Sequence, residues 1–68
     1  MIENRKKLVS ILAQARKEKK ISQRKLAQLT GLPQAYICRV ENGVFSVGID
    51  VLIKICDAIG KKIEIVDK

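Results

Sequence analysis

Gln34, Ala35, Tyr36 and Arg39 fall on one short segment, and their types define what that segment can touch. A glutamine amide sets a donor beside an acceptor and bonds adenine N6 and N7 together. An arginine fork does the same with guanine O6 and N7, each such pair discriminating by roughly 1–3 kcal/mol. Ala35 offers a methyl contact to thymine, and Tyr36 is large enough either to pack on a sugar or to lie against a thymine methyl. The same residue types also populate ordinary solvated helix faces, so from the residues alone base contact and plain solvation both stay open.

Other chemistries find fewer donors. The chain has no histidine, and Cys38 and Cys56 lack a CxxC spacing, which leaves no zinc set and too few thiols for a disulfide framework. No glycine loop suited to phosphates is present, and nothing in the sequence activates Ser10, Ser22 or Cys38 as a nucleophile. We therefore expect no enzyme, no metal and no cofactor. The two cysteines read as buried filler in a reducing compartment.

The elements that must position residues 34–39 follow from apolar spacing and breakers. A first helix is expected over about 4–19, with Leu8, Leu12 and Ala15 inward, Val9 and Ile11 beside them, and Arg5, Lys6, Lys7, Gln14 and Lys17 outward. Ser22 is an N-cap for a second helix over 23–29, whose inner face is Leu26, Ala27 and Leu29 and whose stop is Gly31. Pro33 suits the first turn of a third helix over 33–41, since the N–H it lacks has no partner there. Ile37 and Val40 point inward, with Tyr36 or Ala35 partly alongside, and Asn42-Gly43 ends the helix.

Residues 44–48 form a loop, and Phe45 is expected in the core or in a dimer contact, not between bases. A fourth helix runs from an N-cap at Gly48, with Asp50 in the first turn, to Ile59, and Gly60 stops it. That helix carries more apolar positions than one core-facing stripe requires. Over 61–67, Ile63 and Ile65 alternate with Lys62 and Glu64, the period of a strand. A lone strand needs a partner for its backbone groups, and a second copy of the chain supplies one. Ile49, Ile53 and Cys56 of the fourth helix, with Ile63 and Ile65 of the strand, are the expected dimer surface. A frayed tail is the alternative.

Composition sets the bounds. Sixty-eight residues make one domain, 1–68, near the size at which folding buries only roughly 60% of the unfolded chain's surface. Association is the remaining source of stability once disulfides and metals are set aside. Fourteen basic residues against seven acidic ones give a net charge of +7, which favours a polyanionic partner without specifying the fold. The charged start MIENRKK and the lack of a long apolar run point to the cytoplasm and away from a membrane.

The segment ISQRKLAQLTGLPQAYICRVENG, followed by IDVLIKICDAIG, resembles the XRE family of lambda-repressor-like helix-turn-helix domains, a likeness that spans residues 5–60. The resemblance implies an all-α, compact four-helix DNA-binding fold with the helix-turn-helix at 22–43. It implies that Gln23 bonds a DNA phosphate while bracing Gln34, that Gln34, Ala35, Tyr36 and Arg39 meet base edges or nearby backbone, and that Asn42, Gly43 and the loop from Val44 to Ser46 touch the sugar-phosphate chain. Arg16 and Glu41 match a family ion pair. Pro33 departs from the family's usual Ser or Thr, which removes a hydroxyl contact to phosphate.

The tail KKIEIVDK resembles HipB-like antitoxins, in which C-terminal strands pair across a dimer. The expected function is a sequence-specific regulator of transcription, a homodimeric repressor that reads an inverted repeat in double-stranded DNA. The alternative is an antitoxin that neutralises a protein toxin and regulates its own operon.

Overall fold

The computed structural model describes residues 2–67, with side chains from Asn4 to Asp67; Met1 and Lys68, the two ends of the expected domain, lie outside them. Four helices follow one another: α1 (Ile2–Glu18), α2 (Gln23–Thr30), α3 (Gln34–Glu41) and α4 (Ile49–Ala58). The third packs on both the first and the second, and α4 closes over α2. Their shared interior is Val9, Leu12 and Ala15 of α1, Leu26 of α2, Ile37 and Val40 of α3, and Ile55, Cys56 and Ile59 from α4 and its end. So small a core leaves the chain thin in stability for its length.

Local chemistry accounts for the boundaries. The Ser22 hydroxyl oxygen accepts the Lys25 N–H at 3.0 Å, satisfying one of the unpaired donors at the start of α2. Gly31 ends α2 at φ 74°, a left-handed conformation that would strain a side chain even though nothing lies within 4 Å of where a Cβ would stand. Pro33 sits one position earlier than expected: it is the extended N-cap of α3 (φ −61°, ψ 143°) and its carbonyl accepts from Tyr36 and Ile37. Gly48 caps α4 with Asp50 in the first turn, and Ile59 is the C-cap, not a helical residue.

Two expectations are corrected, and the expected tail strand is not seen in the single chain. Leu29 is half exposed; Thr30 takes the inner line of α2 instead, because its hydroxyl donates to the Leu26 carbonyl at 2.8 Å and accepts the Leu32 N–H at 3.3 Å. A buried hydroxyl so bonded costs little. Leu8 and Ile11 are exposed, since α1 turns Val9, Leu12 and Arg16 to its neighbours and Leu8 and Ile11 fall outside that line. Residues 61–67 form no strand in the single chain: the Lys61 N–H donates to the Cys56 carbonyl at 2.8 Å, and the residues after it have no ladder partner among the described residues, with Ile65 99% and Val66 77% exposed.

Candidate nucleic-acid interface

One face of α3 is interior and the opposite face is open. Ile37 has no exposed surface and Val40 almost none, which fixes the rotation of the helix. Gln34, Ala35 and Arg39 are exposed on the other side, so the structure brings these three predicted positions together on one ridge. Tyr36 is half buried instead: its ring meets Phe45 edge to face, with centroids 5.3 Å apart and planes at 78°. That geometry is favourable for aromatic pairs and ties the loop after α3 back to the helix. Phe45 packs against the core through the same contact, as expected.

A charged network holds α3 in place. Arg16 Nε donates to Glu41 Oε2 at 2.7 Å and Nη2 donates to Oε1 at 3.0 Å, a bidentate pair whose two side chains are nine-tenths buried. Arg16 Nη1 donates to the Ile21 carbonyl at 2.7 Å, so the loop between α1 and α2 is anchored by the same guanidinium. Glu41 at a helix C-terminus opposes the helix dipole, and the Arg16 charge offsets that cost. Gln23 was expected to brace Gln34, but its Nε2 donates to Glu41 Oε1 at 2.9 Å. A carboxylate is a stronger acceptor than an amide, which explains the choice.

Two further features were not anticipated from residue order. Arg24 and Lys25 stand exposed in the first turn of α2, which contains no acid. Positive charge at a helix N-terminus weakens that helix alone and favours an anion placed there. At the other end of the ridge, Arg5 Nη1 donates to the Gly43 carbonyl at 3.3 Å, which joins α1 to the chain leaving α3. Gly43 is buried at φ 69°, and a Cβ there would stand 2.9 Å from Lys6 Cγ, so only glycine lets α1 come this close. The spacing of Arg5, Val9, Leu12 and Arg16 on one helical line was the signal for this contact.

The expected dimer residues divide. Ile49, Ile53 and Ile63 are exposed, and with Ile65 they border a shallow groove between α4 and the tail. Cys56 is corrected: it is buried in the single chain and forms the groove's floor, not its surface. Burial, and secondarily the Asp57 carboxylate, push its thiol above the usual range, so it stays protonated. Among the described residues no group of side chains is placed to hold a metal ion, and no helix is long and apolar enough to cross a membrane.

A helix-turn-helix family model matches residues 12–66, most of the chain. The chain belongs to the XRE-type helix-turn-helix family. As a member it is a DNA-binding regulator of transcription, and the match takes in the whole α2–turn–α3 unit. Among curated proteins none matches the chain.

Proposed function

We propose that this helix-turn-helix protein is a sequence-specific repressor that acts in the cytoplasm as a homodimer, without catalytic activity, and sets α3 into the major groove of each half of an inverted repeat. The observation that carries the proposal is the open ridge of Gln34, Ala35 and Arg39 on a helix whose other side is buried and whose end is clamped by Arg16 and Glu41. A ridge that reads bases must be rigid, because a small displacement forfeits bidentate geometry. Gln34 is assigned to an adenine edge, Arg39 to a guanine, and Ala35 to a thymine methyl. Gln23, Asn42 and Gly43 flank the ridge and are assigned to the phosphate chain, where contacts fix register.

Dimerisation rests on the half-finished surface of the tail and α4. Ile49, Ile53, Ile63 and Ile65 are exposed together, and the backbone of 61–67 lacks a ladder partner. A second copy's tail would pair with it as an antiparallel ribbon and cover those residues, and two-fold symmetry would then set the reading helices about 34 Å apart. A second function is favoured by a separate observation. Leu8 and Ile11 of α1 border an apolar groove of about 540 Å³ with Leu52 and Cys56 of α4 and Ile63 of the tail. An antitoxin would use such a groove for its toxin, and co-purification of a second polypeptide separates this from a stand-alone repressor.

DNA binding itself is tested by titrating duplex DNA at several salt concentrations. The expected log–log slope of affinity against salt is near −0.9 for each phosphate neutralised. A flat response contradicts the proposal.

A further inference from the structure

We propose that Arg5 and Lys6, in the first turns of α1, contact the phosphate backbone of bound duplex DNA beside the loop that follows α3, and so extend the footprint beyond the helix-turn-helix. This contact rests on α3 entering the groove as proposed above. Both residues lie in α1, outside the α2–turn–α3 unit and before residue 12, where the family match begins.

Three observations carry it. Arg5 bonds the Gly43 carbonyl, which places a guanidinium at the point where the chain leaves the end of α3. Among the described residues that is its one hydrogen bond, and a guanidinium has five N–H donors, so an edge remains for a phosphate. The Lys6 stem lies against Gly43 and the side chain is exposed. Neither ion pair among the described residues uses Arg5 or Lys6.

Capping offers a simpler account of Arg5 alone. A cation bonded to a carbonyl at the end of α3 stabilises that helix whether or not DNA is present. It does not account for Lys6, which makes no such bond and whose stem nevertheless lies against the same Gly43. A phosphate next to Asn42 and Gly43 would account for both, since it would accept from the open edge of the Arg5 guanidinium and attract the Lys6 ammonium.

Fluorescence anisotropy with the full chain tests it, using a selected operator duplex and an unrelated duplex over a range of salt. Lys6→Gln carries the test because the side chain is exposed and its loss leaves the fold intact. It should weaken binding equally on both duplexes, about eightfold at 0.1 M salt, and make the slope shallower by about 0.9, as the loss of one phosphate contact requires. Adding Arg5→Gln should remove a similar further increment. Lys17→Gln, the same charge change at an exposed position in the last turn of α1, should leave the slope unaltered.

An unaltered slope for Lys6→Gln on DNA that the native chain still binds overturns the inference. So does an equal loss in Lys17→Gln, which would reduce the effect to net charge. If the native chain itself binds no duplex, the DNA-binding proposal fails first.

Discussion

The ridge of α3 and the tail at 61–67 are two exposed surfaces in opposite conditions. Behind the ridge every polar demand is met: Arg16, Gln23 and Glu41 satisfy one another, Thr30 locks the turn, and Ile37 and Val40 are closed off from water. The tail has apolar side chains in solvent and a backbone without a ladder. A surface that is rigid and polar suits a ligand met from solution, whereas one that is loose and apolar suits a surface completed on association. The difference teaches that this small chain satisfies the polar groups behind the α3 ridge by itself and leaves the apolar side chains of its tail uncovered.

The largest expected effect comes from breaking the finished side. Arg16→Ala strands the buried Glu41 carboxylate and should destabilise the fold by about 3–5 kcal/mol, read by thermal or urea unfolding. Next comes the unfinished side. Truncation after Gly60 should shift sedimentation toward monomer, and an unchanged dimer would move the interface away from Ile63 and Ile65. Arg39→Ala should then cost roughly 1–3 kcal/mol on the preferred operator and relax its specificity, with the fold intact. Equal losses on all sequences would make Arg39 a phosphate clamp.

The smallest effect concerns Cys56. Its buried thiol is raised, so the folded state holds a proton that the unfolded state gives up at lower pH. Stability is therefore full below the unfolded thiol pKa and declines as pH rises through the folded one. Alkylation should label Cys38, which is half exposed, before Cys56, and Cys56→Ser should flatten the alkaline decline.

Much of the finished side was legible in order and spacing. Ser22, Gly31, Ile37 and Val40 reveal their roles because caps, left-handed turns and helical periodicity are local properties. The Arg16–Glu41 pair could be placed by family likeness, since 25 residues separate its members and no local rule links them. Leu8 and Leu29 show the limit of periodicity: an apolar residue one position off the inner line looks the same in sequence, and the approach of α3 and α4 decides which line is buried.

Gln23 shows a second limit. Its amide bonds Glu41 and not Gln34, a choice that depends on where a buried carboxylate comes to rest. The tail shows a third, because alternation records a preference for strand that a single chain has no means to satisfy. Its period can be read from residues 63–66, but its partner cannot.

Selection of bound sites from a random duplex pool tests the central claim most directly. The account predicts enrichment of an inverted repeat with half-sites one helical turn apart, and loss of preference at one position per half-site when Arg39→Ala is used in the same selection. A pool that shows no enriched sequence, or a pattern that Arg39→Ala and Gln34→Ala leave unaltered, would contradict it.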